Sequence, residues 1–264
     1  MVTVLLVVIG FFAGLLGALT GIGGGVLLTP ILALHFGVPI RQAIGTSLVA
    51  VITTSAASSS VHLQRHTTDI RLGMTLELAT ALGAAVMAYL VGYFNRSVLE
   101  GLFVAFLLYS SITILRSGGK LKADKHAAIL NGNGEIPPYE PKRYPLGMSA
   151  SLVAGALSGL LGIGGGPIKV PVMFIFMDVP LIVATATSNF MIGVTAAASA
   201  IVYYRRGDIQ VGIAAPLAVG VFLGSLLGAR LAPRIHTKVV VYLLVAVMLY
   251  LAAHLGVHLL GEVL

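Results

Sequence analysis

The sequence predicts an all-α polytopic membrane protein built from two homologous repeats, and three observations support this fold class. Hydrophobic residues make up 58% of the 264 positions and charged residues only 9%, with a mean hydropathy of +1.01. Such a chain carries more apolar surface than a soluble core can bury. Long apolar runs recur, each close to the ~20 residues that a bilayer span requires. A glycine motif also occurs twice, which indicates an internal duplication.

The duplication is visible at an offset of 141 positions. The motif Gly21-Ile22-Gly23-Gly24-Gly25 recurs as Gly162-Ile163-Gly164-Gly165-Gly166. The same offset relates Pro30 to Pro171, Val38-Pro39 to Val179-Pro180, and Thr46-Ser47 to Thr187-Ser188. Matching glycine, proline and hydroxyl positions indicate that the two halves share one architecture.

Each half is predicted to contain one span, a glycine break, a short apolar segment and three longer spans. The predicted helices are 2–20, 25–37, 41–62, 72–93 and 97–115 in the first half, and 146–161, 167–178, 181–203, 210–230 and 238–259 in the second. The second segment of each half is too short to cross a bilayer comfortably. We interpret it as a re-entrant hairpin or a broken helix. About eight full transmembrane helices and two half-helices are therefore expected.

A polar stretch separates the two repeats. Turn-forming glycine, asparagine and proline pairs lie between Arg116 and Arg143, as expected of a linker. The chain is therefore predicted to divide into a first transmembrane repeat at 1–116, a polar linker at 117–144 and a second repeat at 145–264.

Basic residues predict the orientation, because loops rich in Lys and Arg stay on the cytoplasmic side. If each glycine break returns the chain to the side it entered from, eleven basic residues lie on the linker side and four on the other. The repeats are then inverted and both termini are outside, which is the arrangement we expect. Counting each break within one continuous crossing gives ten against five, parallel repeats and internal termini. The linker is cytoplasmic in both cases.

The two triple-glycine runs are the strongest candidate site. Each glycine costs a helix ~1 kcal/mol relative to alanine, and unwound backbone at membrane depth requires protein or a water-filled cavity around it. The half-helix after each break directs its first amides and positive dipole end into the break, which suits an anion. The predicted substrate-binding glycines are Gly23, Gly24, Gly25, Gly164, Gly165 and Gly166.

Close helix packing is the alternative role for glycine in a membrane. Packing requires glycine along one face rather than three in a row, so we do not favour it for the two runs. Glycines at four-residue spacing elsewhere, such as Gly155/Gly159 and Gly220/Gly224, are predicted to be packing positions.

Polar side chains that follow the breaks are predicted to share the site. Hydrogen-bond donors at the start of the next span in each half are Thr46, Ser47, Thr187, Ser188 and Asn189. Membrane serine and threonine commonly bond their own helix instead. Their equal offset from the glycine runs in both halves favours the shared site.

Two charged residues within the apolar segments are candidates for function. Lys169, three residues after Gly166, offers a positive charge to an anion or else extends to the membrane interface. Glu77 is a candidate for proton coupling, with a position in the headgroup region as the alternative.

Composition and pattern also argue against other functions. The absence of cysteine excludes disulfides and thiolate chemistry. The net charge of +7 lies in loops between spans, where it fixes orientation, so nucleic acid is not an expected partner. Histidines spaced along helices lack the converging support of a zinc site. We expect no metal, no cofactor and no enzymatic activity, because no nucleophile–base pair or phosphate-binding loop is present.

The duplicated glycine run, the proline that follows it and the later Val-Pro and Thr-Ser pairs resemble the sulfite exporter TauE/SafE family of membrane permeases over nearly the whole chain. The resemblance implies a secondary transporter in the prokaryotic inner membrane that moves a small sulfur-containing anion such as sulfite, a sulfonate or sulfoacetate. It further implies coupling to protons, with alternating access of the halves around the paired breaks. A passive anion channel and a transporter of a non-sulfur carboxylate are the alternatives. No oligomeric state is predicted.

Overall fold

Ten α-helices make up the part of the chain that the structure describes, namely residues 2–120, 138–232 and 237–263 of a computed structural model. They are α1 (Val2–Thr20), α2 (Gly25–His35), α3 (Ile40–Gln64), α4 (Ile70–Leu90), α5 (Arg96–Lys120), α6 (Tyr144–Leu161), α7 (Gly166–Pro171), α8 (Leu181–Arg205), α9 (Val211–Leu231) and α10 (Thr237–Val263). A 3-10 turn follows α4 at Val91–Tyr93, and a π-helical turn follows α7 at Val172–Phe176.

Eight of the described helices are long and apolar enough to cross a membrane, and Gly25–His35 and Gly166–Phe176 are shorter. The prediction of an all-α fold with eight spans and two half-helices is confirmed. Every helix begins within two residues of its predicted start. The centre of the predicted linker, residues 121–137, lies outside the described residues, and α5 continues to Lys120 before it.

Glycine and proline set the helix boundaries around the breaks. Gly21 and Gly162 follow α1 and α6 with φ of +72° and +70°, the left-handed conformation that commonly ends a helix. Pro39 and Pro180 precede α3 and α8 with φ of −50° and −54° and an extended ψ. Because proline fixes φ, both helices enter the bundle from the same local geometry.

The half-helix of the second repeat turns back instead of crossing. The Lys142 amide donates to the Met177 carbonyl at 3.0 Å, and the Lys142 ammonium lies 3.1 Å from the Asp178 carboxylate. Lys142 precedes α6, whereas Met177 and Asp178 follow the π turn. The chain therefore returns after the glycine break to the end from which α6 started.

The first repeat forms the equivalent hairpin. Val7, near the start of α1, contacts Gly220 of α9, and Phe11 contacts Gly224, so α1 and α9 run in the same direction. Gly37, just after α2, lines a recess with Asp208, just before α9. The end of α2 and the start of α1 therefore lie at the same end of the molecule.

Glycine allows the two halves to approach closely. The carbonyls of Val7 and Phe11 occupy the space that a Cβ would take at Gly220 and Gly224. In the same way α6 lies along α4, with Gly155 against the Thr80 carbonyl. The predicted packing role of these glycines is confirmed.

The central helices α3 and α8 run antiparallel. Gly45, near the start of α3, faces Tyr203, near the end of α8. Further along α3, the Ser55 hydroxyl donates to the Asn189 carbonyl at 2.6 Å. These two helices are also the most buried of the eight described spans, with 72% and 56% of an 18-residue stretch buried against 39–44% for the other six. The equivalent central helices α3 and α8 therefore run in opposite directions at the core.

Many contacts between the halves occur as reciprocal pairs. Arg65, after α3, donates to the Ala229 carbonyl at the end of α9 at 3.0 Å. Arg206, 141 positions later, donates to the Ala88 carbonyl at the end of α4 at 3.1 Å. Each guanidinium thus satisfies carbonyls that a helix end leaves unpaired. The exchange of equivalent contacts indicates an approximate two-fold axis between the repeats.

Polar contacts distinguish the two ends of the bundle. At the end where α4 and α6 begin, here called the linker end, Tyr139 donates to the Asp69 carboxylate at 2.8 Å. Burial and the adjacent Asp69 carboxylate raise the pKa of Tyr139 above its ordinary value. At the opposite end, Arg41 donates to the Phe94 carbonyl at 2.7 Å.

Candidate functional site

The two glycine breaks pack against each other at the centre of the bundle. A Cβ on Gly25 would strike the Gly162 carbonyl, and a Cβ on Gly166 would strike the Gly21 carbonyl. Gly23 and Gly164, the middle glycines, both have left-handed φ, +79° and +75°. All six predicted substrate-binding glycines are buried. Glycine is therefore required here for contact between the two breaks as well as for backbone conformation.

Several amides of the breaks have no backbone acceptor among the described residues. In the first break these are the N–H groups of Gly24, Gly25 and Val26, and in the second those of Gly164, Gly165 and Gly166. The first amides of a helix have no intrahelical partner, so hydrogen-bond donors collect at each break. Such donors favour a negatively charged or carbonyl-like ligand.

The serine of each Thr-Ser pair links one half to the break of the other. The Ser47 hydroxyl lies 3.1 Å from the Gly162 carbonyl, and the Ser188 hydroxyl donates to the Gly21 carbonyl at 2.7 Å. Thr29 of α2 also donates to the Ser47 hydroxyl at 2.7 Å. Both predicted serines therefore contact the breaks, and in this conformation they bind protein carbonyls.

The threonine of each pair holds a loop in place. The Thr46 hydroxyl accepts from the Gln210 amide at 3.1 Å, and the Thr187 hydroxyl accepts from the Asp69 amide at 3.0 Å. Gln210 and Asp69 precede α9 and α4. These contacts position the neighbouring helices, and they lie away from the glycine amides.

Asn189 is a polar site residue without an equivalent in the first half, where Leu48 takes its place. Its amide nitrogen donates to the Ala18 carbonyl at 3.0 Å, just before the first break. Its side chain is fully buried, and its Oδ1 has no hydrogen-bond partner among the described residues. Asn189 thus carries an open hydrogen-bonding position next to the break.

The two breaks differ in conformation. Gly24 has φ of −65° and leads into an eleven-residue helix. Gly165, its counterpart, has φ of +77° and leads into a six-residue helix that continues as a π turn. The motifs are identical in sequence, so the difference shows that the two halves adopt unlike local states.

Lys169 and Glu77, predicted separately, form one buried cluster with Thr195. The Lys169 ammonium lies 3.2 Å from Glu77 Oε2 and 2.9 Å from the Thr195 hydroxyl. The Thr195 hydroxyl donates to Glu77 Oε1 at 2.6 Å. The side chains of Lys169 and Glu77 are 0% and 7% exposed. Both side chains are therefore enclosed by protein, and the Lys169 ammonium does not extend outward along its helix.

A cavity of about 100 Å³ lies between the breaks and the linker end. Ile22 of the first break and Pro167, after the second, line its inner part. Thr20 and Thr185 supply hydroxyl groups to an otherwise apolar lining. The cavity therefore borders the breaks at Ile22 and Pro167, and its described lining contains none of the predicted substrate-binding residues.

The equivalent region on the opposite side is filled by side chains. The counterparts of Thr185, Pro167 and Val240 are three residues that are fully buried, namely Ile44, Val26 and Leu99. A recess of about 470 Å³ at the opposite end is lined by Arg41, Glu100 and Asp208 among others, and its lining contains no residue of the breaks. Access to the breaks is thus asymmetric in this structure.

Three residues at or near the site were not singled out from the sequence. Thr195 completes the charged cluster, and Thr20 and Thr185 line the cavity. A signal existed for Thr195, since Thr54 precedes it by the repeat offset. Thr20 and Thr185 have no such signal, because their counterparts are Leu161 and Ile44.

Comparison with known proteins gives a consistent set of relatives. The family model described as sulfite exporter TauE/SafE matches residues 6–255. The probable membrane transporter protein YunE of Bacillus subtilis is 30% identical over 231 residues, which cover 83% of this chain and 84% of YunE. A probable membrane transporter protein of Methanocaldococcus jannaschii is 30% identical over 232 residues, 82% of this chain and 81% of the relative.

A more distant relative comes from a plant. The sulfite exporter TauE/SafE family protein 5 of Arabidopsis thaliana is 31% identical over 130 residues, which cover 48% of this chain and 29% of the relative. No solved structure matches the chain.

Proposed function

Because the chain belongs to the sulfite exporter TauE/SafE family of membrane transporters, we propose that it is a secondary transporter of a small sulfur-containing anion in the prokaryotic inner membrane. Sulfite, a sulfonate or sulfoacetate is the expected substrate type. The observation that carries the proposal is the contact between the two glycine breaks, with a cavity that borders them at Ile22 and Pro167.

The breaks favour an anion over a cation. Amides of Gly24, Gly25 and Val26 and of the second glycine run lack backbone acceptors among the described residues, while the Gly21 and Gly162 carbonyls already accept from Ser188 and Ser47. Free amides therefore collect at the start of each half-helix, while the carbonyl of the first glycine in each motif is already hydrogen-bonded. Half-helix N-termini near the midplane serve the same purpose in other secondary transporters.

Alternating access is supported by the unequal sides of the bundle. The cavity at the linker end reaches Ile22, whereas its counterpart is occupied by Val26, Ile44 and Leu99. In the proposed cycle the two halves exchange conformations, so that the filled side opens and the present cavity closes. The antiparallel pairing of α3 and α8 supports inverted repeats, the arrangement in which such an exchange reverses access.

The linker end is assigned to the cytoplasm. Eleven basic residues fall on the linker side of the sequence and four on the other. Those at the linker end with described side chains are Arg65, Arg71, Lys142, Arg143 and Arg230. Positive loops remain inside during insertion. In this proposal the cavity represents access from the cytoplasm, and both ends of the chain lie on the opposite side of the membrane.

The experiment begins with ligand binding to purified protein. A ligand that binds the folded state stabilises it, by ~2.7 kcal/mol at a ligand concentration of a hundred times the Kd. This stabilisation raises the midpoint of thermal unfolding. We expect sulfite, thiosulfate or small sulfonates to raise the midpoint and carboxylates of similar size to leave it unchanged. Counterflow of the active anion in proteoliposomes then tests transport.

The outcomes separate the alternatives. Stabilisation and counterflow with carboxylates alone would replace the sulfur anion by a carboxylate. Anion flux that shows no counterflow and that a pH gradient does not drive uphill would identify a passive channel. An absence of both binding and flux for all these anions would refute the proposed function.

A further inference from the structure

The cluster of Glu77, Lys169 and Thr195 departs from the two-fold symmetry of the protein. Lys169 belongs to the second repeat and Glu77 to the first, and their symmetry-related positions, Leu28 and Ala218, carry no charge. Charges buried at membrane depth are costly and commonly serve transport or proton transfer. An ion pair between the repeats that has no symmetry-related copy is not needed to build the shared fold.

The position of the Lys169 side chain depends on the second glycine break. Its amide donates to the Gly165 carbonyl at 3.1 Å, and its Cε lies 3.1 Å from the place of a Cβ on Gly165. Lys169 is therefore carried by the half-helix whose N-terminus forms part of the proposed anion site. A change at the break that moves this half-helix also moves the ammonium.

Apart from Lys169, the described helices that pack around Glu77 carry no buried charged side chain. The titratable residues of α4, α6 and α8 other than Glu77 and Tyr203 are exposed. They include Arg71 on α4, Tyr144 on α6, and Tyr204 and Arg205 at the far end of α8. The buried Tyr203 donates to the Gly159 carbonyl at 2.9 Å. Around α7, the tyrosine of α5 that borders the half-helix, Tyr109, is also exposed. The carboxylate of Glu77 and the ammonium of Lys169 thus compensate each other.

Building on the proposed function, we infer that the substrate anion and the Glu77 carboxylate compete for the Lys169 ammonium. Without substrate, Glu77 is ionised and pairs with Lys169, and the cluster is neutral. When a monovalent anion takes the ammonium, Glu77 binds one proton, and the cluster is neutral again. Charge balance couples one proton to each monovalent anion, because an uncompensated charge at this depth is strongly unfavourable.

Thr195 acts as a positioning residue in this exchange. Its hydroxyl donates to Glu77 at 2.6 Å and accepts from Lys169 at 2.9 Å. The Thr195 hydroxyl therefore bridges the carboxylate and the ammonium and fixes their positions in the paired state. Thr195→Val should shift the pH dependence of transport while leaving the coupling ratio unchanged, since both charges remain.

The test uses methanesulfonate, a monoanion that does not titrate near neutral pH, with sulfite in parallel. Proteoliposomes with wild-type protein should accumulate the anion up to about tenfold across a gradient of one pH unit, since one unit corresponds to 1.36 kcal/mol. Glu77→Gln should lose gradient-driven accumulation, and its remaining counterflow at equal pH should no longer vary with pH. Lys169→Gln should lose both activities by at least tenfold.

Glu100→Gln is the matched control, because Glu100 is a buried carboxylate on α5 outside the cluster, paired with Arg96 at 2.7 Å. It should accumulate the anion like wild type. Accumulation by Glu77→Gln at the wild-type level would overturn the inference. Wild-type protein that neither exchanges nor accumulates either anion would instead refute the proposed function.

A second measurement does not depend on whether the variants fold. Calorimetric titration of wild-type protein with methanesulfonate, in two buffers of different ionisation enthalpy, should give an uptake of about one proton per anion bound. Binding without proton uptake would overturn the inference and leave the proposed function intact.

Discussion

Replacing Gly166 by alanine isolates the contact between the two breaks from backbone strain. Gly166 does not have a positive φ, so alanine is acceptable to its backbone. Its Cβ, however, would lie 2.6 Å from the Ile22 Cα and 2.9 Å from the Ile22 carbonyl, in addition to striking the Gly21 carbonyl. Ile22 would have to withdraw by about 0.8 Å to restore an ordinary contact of 3.4 Å. The Ser188 hydroxyl, bound to the Gly21 carbonyl at 2.7 Å, opposes that movement.

The expected cost follows from the behaviour of overpacked cores. Extra methyl groups in a well-packed interior typically destabilise by about 1–3 kcal/mol. In a chain near this size, each kcal/mol lowers the unfolding midpoint by roughly 2–4 °C. We therefore expect the Gly166→Ala protein to unfold several degrees below wild type and to lose anion exchange, because the breaks no longer meet.

The measurement is thermal unfolding in detergent, with counterflow on the same preparations. Gly101→Ala is the control, since Gly101 lies within α5 and a Cβ there meets nothing within 4 Å. Its helix should gain up to ~1 kcal/mol. The reciprocal variant Gly25→Ala should behave like Gly166→Ala, because its Cβ strikes the Gly162 carbonyl. A midpoint for Gly166→Ala equal to that of Gly101→Ala would refute the described packing of the breaks.

Three further predictions follow from the same geometry. Gly24→Ala should fold normally, because φ at Gly24 is −65° and the nearest atom to an added Cβ is 3.2 Å away. Gly165→Ala should lose ~1 kcal/mol of stability, because φ at Gly165 is +77°. Equal unfolding midpoints for the two variants would contradict the difference in conformation between the breaks. The chain has no cysteine, so an introduced cysteine is its sole thiol. Thr185→Cys should react with an impermeant thiol reagent added from the linker side. Labelling of the counterpart variant Ile44→Cys at the same rate would contradict one-sided access. Tyr139→Phe should cost about 1 kcal/mol by removing the hydrogen bond to Asp69. Because the pKa of Tyr139 is raised in the folded protein, the stabilisation by this hydrogen bond is complete below the ordinary pKa of 10.0 and is lost only as pH rises through the raised value. The stability difference between wild type and Tyr139→Phe should therefore be constant between pH 6 and 9. A difference that varies in this range would contradict the prediction.

The glycine motif illustrates how far the sequence leads. Three glycines in an apolar run predict an unwound segment and a candidate site, and both breaks do occur at these positions. The sequence also indicates which residues begin the following helices, since Pro39 and Pro180 precede them. It does not reveal that Gly25 and Gly166 each touch the opposite break, because that contact joins the two repeats.

The roles of the polar residues were less accessible to prediction. Thr46 and Ser47 are neighbours with equal sequence signals, yet one holds the loop before α9 and the other reaches the Gly162 carbonyl. Their different roles arise because successive residues point to different sides of a helix. Which neighbour each side meets is decided by the packing of α3 in the bundle.

Composition and repetition by themselves determined the membrane location, the eight spans, the two half-helices and the duplicated break. These are properties of short windows, since about 20 apolar residues are sufficient for a span. Only the tertiary structure decided that Lys169 meets Glu77, 92 positions away, that the half-helices turn back, and that the cavity lies on one side. Those features depend on which helix faces meet, and the free energy of that choice comes from packing between residues far apart in the chain.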